Sequence, residues 1–280
     1  MTSAYEAPDR QFAEMVHRVD AESERQTKRL EHASAEELKS VVRDRSESNI
    51  ARGTALLVLM CPRDPEWDDL LLELFDDPDQ DLWRMAITSA RLSDPRIRTK
   101  LLSLLDDPDD QNWSEAAIWL ARSKEESLLT RFVDWLERGD EGHRNVAVEC
   151  LNVLKTPAAQ AALQGYWESG QGNDDVRLEV AGALLGMGDH RGRNLLETVA
   201  QRAEGVSSVV AATLIYLAEP GDGLSHMRKI LDDGDLKARQ MLVGQIRNFT
   251  HLPHAFTADG LSEARVWVQT QLENPDAMRN

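Results

Sequence analysis

Histidine is the side chain most often used for acid–base catalysis and metal binding, but no histidine in this chain has a spacing that would build a site. His251 and His254 are three residues apart, yet Pro253 lies between them and no cysteine or carboxylate is adjacent. No His-Glu dipeptide and no H-x-x-x-H spacing occurs anywhere. The sequence therefore predicts no metal and no cofactor.

The densest carboxylate clusters are two copies of Asp-Asp-Pro-Asp, at 76–79 and 106–109. Neither copy has the glycine turn and distal glutamate of a calcium-binding EF-hand loop. Proline cannot continue a helix, whereas aspartate accepts hydrogen bonds from the free N–H groups at a helix start. These clusters are therefore interpreted as boundaries between helices. Phosphate-binding glycine loops and a G-x-S-x-G nucleophile motif are also missing, so no catalytic activity is predicted.

The elements around these clusters repeat. Residues 64–79 and 94–109 share Asp-Pro, a leucine pair and Asp-Asp-Pro-Asp at the same offsets. Apolar residues spaced by three and four predict helices throughout, and no segment alternates with period two. Each unit is predicted to contain a second helix, and successive second helices begin at a near-constant spacing, the length of one helix pair. The predicted starts lie near Asn49, Asp81, Asn112, His143, Asp175, Ser208 and Lys237.

Residues 175–189, DVRLEVAGALLGMGD, resemble the second helix of the short HEAT repeat, of the kind also found in phycobilin lyases. The resemblance implies an all-α, right-handed α-solenoid of about seven helix-pair repeats with capping helices at both ends. We expect one domain over 1–280. Its parts are N-terminal capping helices in 1–46, repeats in 47–248, and a loop with a C-terminal capping helix in 249–280.

The resemblance also implies a ladder of charged residues between neighbouring repeats. Arginines after the turn should pair with turn aspartates, because a guanidinium holds a carboxylate in a two-pronged geometry. These charges are interpreted as structural. The residues expected to form this ladder are Arg52, Arg84, Arg177, Asp79, Asp81 and Asp174.

In this repeat family the second helices line the concave face, and a strip of their outward positions is the predicted interaction surface. Tryptophan and arginine are enriched at binding hot spots. The predicted strip consists of Trp119, Arg91, Arg122, Glu149, Asn152 and Trp83. For Trp83 and Trp113 a second interpretation stays open, namely that they fill the core between unequal repeats.

The formal charge of −17 limits the classes of partner. Nucleic acid and anionic membranes bind through clustered lysine and arginine, so neither is predicted as a partner, and a basic protein or peptide is favoured. Two explanations of the acidity remain open: adaptation to a salty cytoplasm, or a base composition of the genome that favours aspartate and arginine. In the first case the melting temperature should climb steeply towards molar KCl.

The compartment follows from the absence of targeting signals. No apolar run is long enough to cross a membrane, and the N-terminus lacks a secretory signal pattern, so we expect a cytoplasmic protein. Cys61 and Cys150 are then expected to be buried thiols rather than a disulfide.

The function predicted from these features is that of a non-catalytic scaffold or adaptor, which binds a protein or peptide on the concave face. The alternative is a lyase or small-molecule-binding protein resembling the phycobilin lyases, with a concave pocket near Trp83, Trp113 and Trp119. A third class, the HEAT-like alkylpurine glycosylases, requires a basic stripe that the charge of this chain does not favour. The sequence specifies neither the partner nor the oligomeric state.

Overall fold

A computed structural model describes residues 21–59, 66–91, 93–106, 112–250 and 258–274. Every regular element in these ranges is helical, so the predicted all-α fold is confirmed. No helix in this part of the chain is both long and apolar enough to cross a membrane.

The described ranges contain sixteen α-helices. They are α1 (21–30), α2 (Ala35–Arg43), α3 (Asn49–Leu59), α4 (Trp67–Leu74), α5 (Gln80–Ser89), α6 (Pro95–Leu104), α7 (Trp113–Arg122), α8 (Leu129–Arg138), α9 (Glu141–Leu154), α10 (Pro157–Ser169), α11 (Asp174–Gly186), α12 (Arg193–Arg202), α13 (Gly205–Ala218), α14 (Pro220–Asp233), α15 (Leu236–Thr250) and α16 (Ala258–Glu273). Short 3-10 turns at Glu126–Leu128 and His190–Gly192 lead into α8 and α12.

Helices α2 to α15 form seven consecutive pairs, in which a first helix is followed by the second helix that packs against it. The second helices α3, α5, α7, α9, α11, α13 and α15 begin within three residues of the starts predicted from the sequence. Helix α2, expected as part of an N-terminal cap, packs along α3 as the first helix of the first pair. Helix α16 packs on α14 and α15.

The described residues fall into two compact units that divide after Lys124. In unit 1 the second helices α3, α5 and α7 stack in order, and the first helix α4 packs on α6. In unit 2 the second helices α9, α11, α13 and α15 stack in the same way, while α8 packs on α10 and α12 on α14. Each unit is thus built by stacking like helices on like helices.

The close stacking depends on small buried residues. A fully buried alanine recurs on every second helix: Ala51, Ala86, Ala117, Ala147, Ala181, Ala212 and Ala238. An alanine side chain lets neighbouring helix backbones approach, and the leucines beside it fill the remaining space. The outward face of each second helix stays available for other chemistry.

The helix boundaries follow the turn residues read from the sequence. Asp79 caps α5 by accepting hydrogen bonds from the backbone N–H groups of Asp81 and Leu82, at 3.0 and 2.9 Å. Thr156 caps α10 in the same manner, with Pro157 as the first helical residue. The Asp-Asp-Pro-Asp cluster at 76–79 therefore ends one helix and begins the next.

Candidate functional site

The outward faces of α9, α11 and α13 enclose an acidic pocket of about 350 Å³ in unit 2. It is lined by Asn145, Val146, Val148, Glu149, Asn152, Asp175, Glu179, Ala183 and Leu214. Glu149 and Asn152 were predicted as surface residues for binding, and both belong to this pocket. Because every lining residue comes from a second helix, the pocket lies on the helix row that the sequence indicated as the binding face.

Glu179 is the central charge of the acidic pocket. Burial raises the pKa of its carboxyl, and the charges of Glu149 and Asp175 raise it further. Asp175 lies one helical turn before Glu179 on α11, where like charges repel. Glu179 forms no ion pair with any residue in the described ranges. The pocket therefore holds a carboxylate whose ionised form is stabilised by no cation among the described residues.

Two polar atoms along this surface are buried without hydrogen-bond partners among the described residues. They are Oδ1 of Asn152, on α9, and Oγ1 of Thr213, on α13. A buried polar group left unsatisfied costs stability, so such atoms are uncommon in folded proteins.

A second, apolar pocket of about 190 Å³ adjoins the first. It is lined by Val209, Val210, Thr213, Leu214, Met241 and Gln245, together with Glu179. Glu179 and Leu214 line both pockets, so the two lie side by side across α9, α11, α13 and α15. We call the two parts the acidic pocket and the apolar pocket, and their union the groove.

The other residues of the predicted strip belong to unit 1. Trp119 is half-buried on α7, and its Nε1 atom is buried without a hydrogen-bond partner in the described ranges. Arg122 is exposed at the end of the same helix. Arg91 follows α5 and places Nε 3.4 Å from Oδ1 of Asp68, on the first helix α4. The guanidinium of Arg91 thus contacts the first helix of its own pair.

Trp83 does not belong to any binding surface, and the structure corrects its assignment. Its side chain is 1% exposed and packs on Phe75, with ring centroids 6.0 Å apart. The alternative interpretation of Trp83, as a core residue between repeats, is the correct one. Trp113 is half-buried at the start of α7.

Among the predicted ladder residues, Arg52 makes the buried contact between repeats. Its Nη2 lies 2.5 Å from Oδ2 of Asp77, and its Nε donates to the carbonyl of Val42 at 2.8 Å. The partner is thus Asp77 rather than Asp79 or Asp81. Burial alone would raise the pKa of Asp77, but hydrogen bonds from Arg52 and from the backbone of Asp79 outweigh it, and the pKa is lowered.

The remaining predicted ladder residues are differently placed. Arg84 is largely exposed, with its guanidinium 3.6 Å from Glu115 on α7 and 3.9 Å from Asp81. Arg177 stacks over the ring of Trp167, 4.6 Å from its centroid, instead of pairing with an aspartate. Asp174 is exposed in the first turn of α11, where the helix dipole favours a negative charge.

Sequence reasoning missed a second set of arginines, on the first helices. Arg96 reaches back from α6 to Asp69 on α4 at 2.5 Å, and Arg191 reaches from the turn before α12 to Glu168 on α10. Arg193, on α12, pairs with Glu219 and Asp222 towards α14. A signal for two of them was present: Asp-x-Arg at 94–96 and 189–191, in which the aspartate accepts from the backbone and side chain of the arginine.

No group of three or more His, Cys, Asp or Glu side chains within the described ranges is placed to hold one metal ion. Cys150 is a buried free thiol, and burial followed by the charge of Glu149 raises its pKa. Cys61 and the pair His251 and His254 lie outside the described residues.

The stacked helix pairs and the second-helix groove define a class, the all-α helical-repeat proteins, whose repeats commonly serve as surfaces for protein interaction. Residues 98–184 match the family model described as HEAT repeats. This match confirms the HEAT-repeat resemblance stated from the sequence. A comparison with curated proteins finds no match.

Proposed function

We propose that this protein is a non-catalytic scaffold that binds a basic segment of a partner protein in the groove of unit 2. The observation that carries the proposal is the state of Glu179, a partly buried carboxylate with a raised pKa and no cation beside it in the described ranges. Such a group is destabilised in the free protein. A lysine or arginine from a partner removes that penalty on binding.

The shape of the groove supports a polypeptide as the occupant. It crosses four successive second helices, which is the way an extended chain lies on a helical-repeat surface. The overall charge of −17 adds long-range attraction for a basic segment and raises the rate of encounter. Apolar residues such as Val146 and Leu214 contact the aliphatic stem of a basic side chain while its head meets the carboxylates.

The experiment is a titration of two fluorescein-labelled dodecapeptides, (Gly-Arg-Ser)4 and (Gly-Glu-Ser)4, followed by fluorescence anisotropy. We expect the arginine peptide to bind and the glutamate peptide not to bind. Affinity for the arginine peptide should fall with added salt because the attraction is electrostatic. Failure of the arginine peptide to bind at low salt would overturn the proposal.

Matched variants locate the site. Glu149→Gln/Glu179→Gln removes two charges from the groove, and Glu137→Gln/Glu168→Gln removes two charges from exposed positions on the first helices α8 and α10. Both variants change the net charge equally. We expect only the groove variant to lose most of the affinity; equal losses would show that net charge alone, and not the groove, attracts the peptide.

The alternative of a bilin-binding lyase is tested in the same preparation. Incubation with a bilin should leave its visible absorbance unchanged if the protein is a scaffold. A shifted band that the Glu149→Gln/Glu179→Gln variant abolishes would favour a small-molecule ligand in the groove.

A further inference from the structure

We propose that the groove recognises a two-residue motif, in which a basic side chain enters the acidic pocket and an aliphatic side chain about four residues away enters the apolar pocket. The inference rests on the proposed function, since it takes the occupant to be a basic peptide. It goes further because it states which residues of that peptide carry the recognition and how far apart they lie.

The acidic pocket selects a side chain that only donates hydrogen bonds. Its polar lining includes three carboxylates, those of Glu149, Asp175 and Glu179. A guanidinium carries five N–H donors and no acceptor, so it can donate two parallel hydrogen bonds to the carboxylate of Glu179. Arginine therefore fits this pocket better than any neutral residue.

The apolar pocket selects a different side chain. Val209, Val210, Leu214 and Met241 form most of its wall, and its volume of about 190 Å³ exceeds that of one aliphatic side chain. Methionine and leucine walls adapt their shape to a branched or a linear apolar group. A leucine, isoleucine, valine or methionine of the partner is buried there, whereas an acidic residue would lose its hydration and be repelled by Glu179.

The separation of the two side chains follows from helix packing. The acidic pocket lies mainly between α9 and α11, and the apolar pocket lies mainly between α13 and its neighbours α11 and α15. Packed helices are about 8 to 10 Å apart, and an extended chain advances about 3.3 Å per residue. The two pockets are therefore about one and a half helix spacings apart, roughly 12 to 15 Å, which about four residues of extended peptide span.

The test uses synthetic dodecapeptides with one arginine and one leucine in a Gly/Ser background, at separations of one to six residues and in both orders. Their affinities are measured by competition with fluorescein-labelled (Gly-Arg-Ser)4. We expect the peptides with a separation of about four residues, in one of the two orders, to bind about tenfold more tightly than the others, as burial of one aliphatic side chain predicts.

A variant that preserves shape controls for the apolar pocket. Val210→Thr keeps the side-chain volume but makes the wall polar, so peptides with different separations should bind this variant with equal affinity. Peptides that bind equally at every separation would overturn the two-residue motif alone. If (Gly-Arg-Ser)4 itself does not bind, the proposed function fails, and the motif fails with it.

Discussion

The carboxylates between repeats and the carboxylates of the groove are the same chemical group in opposite electrostatic settings. Asp189, beside the first helices, accepts hydrogen bonds from Arg191 and Gln164, and these outweigh the effect of burial and lower its pKa. Glu179, on a second helix, has a raised pKa because of burial and two neighbouring carboxylates. The difference teaches that carboxylates in this chain occur in two settings: Asp189 is paired between repeats, whereas Glu179 has no cation beside it among the described residues.

The largest expected effect concerns the best-buried pair between repeats. Arg52→Ala should lower the free energy of unfolding by about 3 kcal/mol, because it leaves the carboxylate of Asp77 buried without its cation. Arg84, at the equivalent position of the next pair, is largely exposed. Arg84→Ala should therefore cost no more than about 1 kcal/mol. Urea unfolding followed by circular dichroism measures both, and equal losses would break the distinction between buried and exposed arginines.

Two smaller changes in stability, one in the groove and one between the first helices, should have opposite signs. Glu179→Gln should stabilise the free protein by about 0.5 kcal/mol, because it removes repulsion with Asp175 one turn away. Glu168→Gln removes a partner of Arg191 and should destabilise by up to about 0.5 kcal/mol. Differential scanning calorimetry at neutral pH compares the two variants. Melting temperatures that shift in the same direction in both variants would contradict the comparison.

The stability contributions of Glu179 and Asp77 should depend on pH in opposite ways. The carboxyl of Glu179 has a raised pKa in the folded protein, so its cost is absent well below pH 4.5 and grows as the pH rises through the folded pKa. Asp77 has a lowered pKa, so its contribution is present above pH 3.8 and is lost as the pH falls. Melting temperatures of Glu179→Gln and wild type should therefore converge towards pH 4. A gap that widens on acidification would be inconsistent with a raised pKa.

The fold was predictable because its signal is periodic. Seven helix starts recur at near-constant spacing, and proline and aspartate at the turns leave few alternatives for the boundaries. Thr156-Pro157 and Asp79 cap helices as the sequence indicated. Local rules of this kind depend on neighbours in sequence, which are visible without a structure.

The site was predictable only in part, because it depends on which side chains meet across repeats. Glu149 and Asn152 were predicted by carrying the register of α5 and α7 one repeat further. Glu179 and Leu214 come from the next two second helices, to which the register was not extended. Trp83 was misassigned because tryptophan is common both in cores and at interfaces, and only packing on Phe75 distinguishes the two. The Arg52 partner shifted from Asp79 to Asp77 because Asp79 is used as a helix cap.

The central claim is that the carboxylate of Glu179 has no cation beside it among the described residues, and that a basic ligand supplies one on binding. The most direct measurement is the pKa of its carboxyl carbon by ¹³C NMR, assigned by difference against Glu179→Gln, with and without saturating (Gly-Arg-Ser)4. We predict a pKa above 4.5 in the free protein that falls when the peptide binds. A pKa that is not raised, or that stays the same in the complex, would contradict the account.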